Sequence, residues 1–396
     1  MSTIKLLQAT EDSVVIGFFN MLSRENASES EIELFKLRKD NPQGKLVFDF
    51  AGLEYISSAG LRVILKCAKA EREKIKIINT NMEIYDILET TGFHRLFEIH
   101  KTMEQYSLKD LELIGQGANG AVYRIDRERI VKVFQKSTPM VDIERERSMA
   151  REALIAGLPT AISYSVVKVD DCYGIVFELI DSETLSRVMS SRPDDYDSLV
   201  DEYIRLYKLI HETKVTDAEF PSIKQIYYDA IDGCRDYYTA EEIDKLMALV
   251  NSVPDADTLI HGDYHPNNIM VQNGELILID MGDMSRGHIL FDFLATATTQ
   301  YNLVNLNPEY AEYLVKMPVE LIKKNWRRLI DVYFKEKTDQ EKKRIEDQIC
   351  KFTKLKVGLA PVFGRGAAPE IIQASIDDAR VNLLPYIDDL IGAVDW

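Results

Sequence analysis

The sequence has few cysteines, and its four, Cys67, Cys172, Cys234 and Cys350, are widely scattered. No pair stands at a metal-ligand or redox spacing, which excludes a cysteine metal site and reads as free thiols in a reducing cytoplasm. Long apolar runs are missing too. Nothing approaches the roughly 18 residues of a spanning helix, and Met1-Ser-Thr-Ile-Lys-Leu-Leu is too short an apolar run for a signal peptide. A cytoplasmic protein without a membrane segment is expected. There is no internal repeat, no low-complexity tract and no Gly/Ser/Pro linker. Basic charge is in deficit: the net charge is −17, which disfavours nucleic acid as a partner.

What is present is concentrated in His261-Gly-Asp-Tyr-His-Pro-Asn-Asn268 and the following Leu-Ile-Leu-Ile-Asp280-Met-Gly282. Asp263 and Asn268 have the Asp-x-x-x-x-Asn spacing of a kinase catalytic loop. Between Asn268 and Asp280 lie two apolar runs joined by Asn273-Gly274, the signature of a tight hairpin with a primed turn. With those two residues at the turn centre, Asn268 pairs across from Ile279 and comes to lie beside Asp280. Two oxygen ligands at one point suit Mg²⁺, with phosphate and water completing its shell. His261, His265 and His288 fall near this loop, but the kinase spacing explains them without zinc. His94, His100 and His211 read as surface or core residues.

Upstream, Gly115-Gln-Gly117-Ala-Asn-Gly120-Ala-Val122 follows one apolar strand and runs into another. The motif alone fits a dinucleotide fingerprint or a plain flexible hairpin. The β-branched and aromatic residues after it argue against a helix and so against the dinucleotide reading. Lys132 then sits within the strand Ile-Val-Lys-Val-Phe, sharing a face with Ile130 and Phe134. A lysine on an apolar face needs an anion, which a nucleotide phosphate or a glutamate can supply. Residues 142 to 157 read as a helix with apolar face Ile143, Ala150, Ala153 and Leu154, and Glu146 lies on that face. A Lys132–Glu146 ion pair is expected, with Glu152 as the alternative partner.

With these motifs together, residues 108–396 resemble the aminoglycoside phosphotransferase and choline kinase group, the small-molecule branch of the protein-kinase-like fold. The resemblance extends to Gly157-Leu-Pro159 and to His288-Ile-Leu-Phe-Asp292. It implies an α+β bilobal domain with a β-rich N-lobe (108–180) and a helical C-lobe (181–396). It implies that Asp263 accepts the substrate hydroxyl proton, that Asn268 and Asp280 hold Mg²⁺, and that Lys132, oriented by Glu146, holds the ATP phosphates. Gly115, Gly117, Gly120 and Val122 would cover the nucleotide. The backbone of Phe177, Glu178, Leu179 and Ile180 would receive adenine, and Asp292 would brace the catalytic loop. Met281 departs from the Trp or Phe common in the group. There is no Ala-Pro-Glu element and no Ser/Thr-rich activation segment, which favours a small-molecule acceptor over a polypeptide.

Residues 1–103 are a different unit. Lys45–Phe50 reads as a buried-type strand. Ser57-Ser58 opens a helix with core face Leu61, Ile64, Leu65 and Ala68, Lys74–Ile78 is a second strand, and residues 82–91 form a short helix stopped by Gly92. The alternation makes a small α/β domain. The serines at the helix start either cap it or offer a phosphate-accepting site. The fourteen residues Asp49-Phe-Ala-Gly-Leu-Glu-Tyr-Ile-Ser-Ser-Ala-Gly-Leu-Arg62 resemble the signature of STAS domains, the anti-sigma-factor antagonist fold. That likeness implies Ser58 as the phosphorylation position and an anti-sigma factor or other regulatory protein as partner.

Residues 1–106 carry 14 basic against 16 acidic side chains, and the remainder 34 against 49. The acidity of the second part fits a cationic acceptor and fits ordinary solubility equally well. The tyrosine pairs 227–228 and 237–238 read as helix packing ahead of an acceptor pocket, and Lys354–Gly364 resists assignment. The expectation is an ATP- and Mg²⁺-dependent phosphotransferase acting on a small-molecule hydroxyl, joined to an anti-anti-sigma-like regulatory domain. The alternative is a STAS switch protein binding an anti-sigma factor, with the kinase-like half as sensor or as kinase of a protein serine.

Overall fold

The computed structural model describes residues 3–117, 120–364 and 367–396. The chain divides into two units, residues 1–106 and 107–396. The unit ending at Tyr106 is a five-stranded sheet in sequential order. Ile4–Ala9 and Ser13–Leu22 form an antiparallel pair, and Lys45–Ile56, Ile75–Thr80 and Phe97–Lys101 follow in parallel. Parallel neighbours need crossovers. The helices Ala27–Asp40, Ser58–Ala70 and Met82–Thr90 lie in the connections between successive parallel strands. Phe18, Phe48, Phe50 and Phe97 fill the core, with ring centroids 5.0 to 6.5 Å apart along the Phe18–Phe48–Phe50 cluster.

Two details differ from the sequence reading. The buried stripe of Ser58–Ala70 is Gly60, Val63, Ile64 and Cys67, while Leu61, Leu65 and Ala68 flank it half-buried. Gly60 packs so closely that a Cβ there would lie 2.6 Å from Leu22 O. That approach turns the helix one residue away from its most apolar stripe. The first two strands and the helix Ala27–Asp40 were not assigned from sequence.

The second unit begins with an antiparallel sheet containing, in spatial order, Ser163–Val169, Cys172–Glu178, Arg129–Phe134, Gly120–Arg124 and Glu112–Gly117. The helix Met140–Ile155 packs on it, starting after Pro139 and ending before Gly157, whose φ is +90°. Its buried stripe is Ile143, Glu146, Met149, Ala150 and Ala153. Leu154, expected on that face, is 39% exposed, because it falls one position past the stripe in the helical rotation. From Leu185 onward the chain is mainly helical and surrounds one large core. Among the described residues no helix is long and apolar enough to cross a membrane.

Candidate active site

The hairpin at the centre of the site forms as its turn chemistry dictates. Ile269–Gln272 pairs with Glu275–Leu278, and Asn273 and Gly274 have φ of +53° and +85°, the left-handed pair of a type I′ turn. Ile279 N donates to Asn268 O at 3.0 Å. That bond seats Asn268 opposite the residue before Asp280. Asp280 has φ of +62°, a conformation uncommon outside glycine but tolerated by aspartate. Met281, directly after it, is buried in the core.

Asp280 meets the sheet and the helix there. Lys132 Nζ donates to Glu146 Oε1 at 2.7 Å and to Asp280 Oδ1 at 2.9 Å. Glu152 instead faces Arg151, at 3.7 Å. Burial alone would push the Lys132 ammonium down, but Asp280 and Glu146 outweigh it and hold its pKa above the ordinary lysine value. Glu146 is pushed up by burial, against the pull of Lys132, and the nearby Asp280 and Asp283 add to the rise. One cation among these carboxylates leaves the cluster with surplus negative charge, which a further cation would offset.

The other end of the site is built on Asp263. Asn268 Nδ2 donates to Asp263 O at 3.0 Å and to its Oδ2 at 3.1 Å, which leaves the amide oxygen of Asn268 available as an acceptor. Partial burial would raise the Asp263 pKa. His265, with Nε2 3.6 Å from Oδ2, together with Lys356 and His261, holds the carboxyl well below the usual range instead. The side chain keeps 40% of its surface accessible, so an ionised carboxylate is presented at an open position.

Asp292 sits beneath this loop, fully buried. Its two oxygens accept the backbone N–H of His261 and of Gly262, each at 2.9 Å, and Oδ2 also meets His211 Nε2 at 3.0 Å. His211 Nδ1 in turn lies 2.7 Å from the Tyr333 hydroxyl. Gly262 is required: its φ is +84° and a Cβ would come within 2.4 Å of Asp283 O. His288 stands apart from the loop's carboxylates, accepting Leu290 N–H at 3.2 Å and packing edge-on to Trp396.

The glycine motif lies on the strand pair Glu112–Gly117 and Gly120–Arg124, with Gly117 opposite Gly120; Ala118 and Asn119 of the motif fall outside the described residues. Gly120 passes so close to the next strand that a Cβ would meet Val133 O at 2.1 Å. Gly115 lies across from Val122, and Val122 across from Lys132. Of the expected adenine-receiving segment, Glu178 N and Leu179 N already donate to Ile162 O (2.9 Å) and Glu128 O (2.7 Å). Tyr227 is buried against Phe291 and Phe363, and Tyr238 is buried with its hydroxyl on Gly358 O at 2.8 Å. Both pack, as read. His211, Gly262 and Lys356 are the residues of this site that sequence reasoning missed. A lone histidine and a lysine in an unassigned helix give no local signal.

Comparison with known proteins decides the family. Residues 110–317 match the phosphotransferase enzyme family and residues 6–106 match the STAS domain. The chain belongs to the phosphotransferase enzyme family and carries an N-terminal STAS domain. It is similar to the Bordetella bronchiseptica protein named "Putative anti-sigma factor antagonist BtrV", 30% identical over 105 residues, covering 26% of this chain and 90% of that protein. Among solved structures, the streptomycin–ATP–APH(2″)-IIa ternary complex is 15% identical, with a TM-score of 0.45, covering 77% of this chain and 97% of the other. A choline/ethanolamine kinase family protein from Mesorhizobium loti is also 15% identical, with a TM-score of 0.43, covering 72% of this chain and 91% of the other. By the family matches, the second unit has the protein-kinase-like fold of this phosphotransferase family and the first is a STAS-like domain.

Proposed function

We propose that this phosphotransferase uses ATP and Mg²⁺ to phosphorylate a hydroxyl group of a small molecule. One observation carries the reading: Lys132 bonds both Glu146 and Asp280 while Asn268, beside Asp280 across the hairpin, bonds Asp263. These bonds link five groups from four segments, the step from Asn268 to Asp280 running through the Ile279 N–H donated to Asn268 O. In the proposed roles, Asp263 takes the acceptor proton as the acceptor oxygen bonds the γ-phosphorus. The bond from that phosphorus to the β–γ bridging oxygen breaks, and ADP leaves with the electron pair. Lys132 neutralises the phosphates, with Glu146 holding it in place. Gly115, Gly117, Gly120 and Val122 cover the nucleotide, and residues 177–180 receive adenine. The oxygen donors Asn268 and Asp280, in a cluster with surplus negative charge, fit Mg²⁺. When bound it would draw charge from the phosphates. Residues 108–180 and 181–396 would act as the two lobes of the transferase.

A second reading concerns the STAS domain. Ser57 is the N-cap, with Oγ accepting Gly60 N–H at 3.2 Å and donating to Leu22 O at 3.2 Å. Ser58 is the first helical residue and is exposed. A phosphate there would sit at a helix N-terminus. This supports Ser58 as a modification site that controls binding of an anti-sigma factor or similar protein through residues 1–103.

Incubation with labelled ATP and Mg²⁺ separates the readings. The proposal expects no label on the chain, and ADP release on adding an acceptor from a screen of amines, amino sugars, choline and nucleosides. Label on the protein that disappears in Ser58→Ala, without ADP release to any metabolite, would replace it by a kinase of a protein serine.

A further inference from the structure

The helix Asp339–Gly358 delivers a second lysine to the catalytic loop. Lys356 Nζ donates to Gly262 O at 3.3 Å, next to Asp263. The side chain is half-buried, and Phe363, itself packed on Tyr227, lies 5.8 Å from the ammonium. Its charge reaches the Asp263 carboxylate, which it helps hold below the usual carboxylate range. An ammonium has three donors, and one is spent on a carbonyl. A half-buried lysine ordinarily finds an anionic partner. Here the ammonium stands beside the proposed base, with donors left to spend, at the place in the proposed reaction where negative charge moves.

We infer that Lys356 is a further catalytic residue: its ammonium contacts the transferring phosphoryl group and neutralises charge on it from the Asp263 side. The inference rests on the proposed reading of the site. Lys132 stands with Glu146 and Asp280, whereas Asn268 bonds Asp263 itself. A γ-phosphoryl passing to an acceptor at Asp263 moves away from Lys132 and toward the end of the site where Lys356 stands. Charge on its equatorial oxygens is then met by the cation beside Asp263. The rival role is a strut that merely ties the loop to the last helices through Gly262 O.

The test compares the full-length protein with Lys356→Met and Lys356→Arg. Three quantities are read: Mg·ATP turnover with water as acceptor, binding of Mg·ADP, and binding of Mg·ADP with aluminium fluoride, a planar phosphoryl mimic. Loss of one such charge contact lowers turnover by roughly 10²- to 10³-fold. Lys356→Met should show that loss and weaker fluoride-complex binding, with Mg·ADP affinity and melting temperature at wild-type levels; Lys356→Arg should recover part of both. Wild-type turnover and fluoride binding in Lys356→Met would overturn the inference and leave the proposed function standing. So would a Lys356→Met protein that loses Mg·ADP binding and thermal stability along with activity, the pattern of a strut. A wild-type protein that fails to bind Mg·ADP would overturn the proposed function and the inference with it.

Discussion

In residues 3–106 the candidate site is one helix start, two adjacent serines of which one is tied into the fold and the other is free. In residues 107–396 the candidate site is a meeting of parts: Lys132 and Asp280 touch across 148 positions of sequence, and His211 reaches Asp292 across 81. The first kind of site persists wherever its helix forms. The second exists only when the whole unit is folded, and every member bears on the others. Changes at the buried members of the second site, Asp292 above all, should therefore couple activity to stability, while changes at the serines should be separable.

The largest effects are expected at the ends of the constellation. Asp263→Ala removes the proposed base and should lower ADP production by about 10²- to 10⁴-fold, with Mg·ATP affinity retained. Asp280→Ala should abolish turnover and also weaken Mg·ATP binding, measurable by titration calorimetry. A retained rate in Asp263→Ala would remove the proposed base. Next comes the brace. Asp292→Ala strips acceptors from two buried N–H groups and leaves His211 without its carboxylate. Removing one partner of such a buried network costs about 3 to 5 kcal/mol, so thermal melting should show a clear drop together with lost activity. A stable but inactive Asp292→Ala protein would break the coupling claimed for this unit.

The contrast also explains what could be read in advance. The Asn273-Gly274 turn is local chemistry, so the pairing of Asn268 with Ile279 followed from the sequence. Glu146 was visible because an acidic residue interrupted an apolar stripe. Leu61 and Leu154 were misplaced because one residue turns a helix by about 100°, and Gly60, not the larger side chains, sets how closely its helix approaches Leu22. Ala27–Asp40 buries only Ala27, Ser30 and Leu34, too weak a stripe to read. His211 and Lys356 owe their places to contacts 81 and 94 residues away, and no window of sequence contains such information.

A pH series sharpens the same point. Burial pushes the pKa of His261 and of His288 below the ordinary histidine value. Depressed histidine values mean that the unfolded chain binds protons first as pH falls below about 6.5. Their contribution is therefore fully present above that pH and is lost progressively as pH falls from there toward the folded values. Asp292, held below the usual carboxylate range despite its burial by His211, His261 and the loop amide of His261, contributes stability that is lost only below about pH 4. The melting temperature of the second unit should decline between pH 7 and 5, and less so in His288→Gln. A flat profile over that interval would contradict the buried neutral imidazoles.

The smallest effects belong to the serines, and there the two neighbours should part. Ser57→Ala deletes the N-cap acceptor for Gly60 N–H and the bond to Leu22 O, a loss of about 1 kcal/mol in the first unit. Ser58→Ala removes an exposed hydroxyl, and a surface change of that kind stays within about 0.5 kcal/mol. A carboxylate at Ser58→Asp lies in the first turn, where negative charge is favoured by roughly 0.3 to 1 kcal/mol. Chemical denaturation followed on the first unit should rank the variants with Ser57→Ala lowest, Ser58→Ala level with wild type and Ser58→Asp level or above. That order would show that a phosphate at Ser58 need not unfold its own domain, so that any loss of partner binding must come from charge and bulk at the surface. Should Ser58→Ala prove the more destabilising of the two, the cap has been assigned to the wrong hydroxyl and Ser58 is no longer free to serve as a switch.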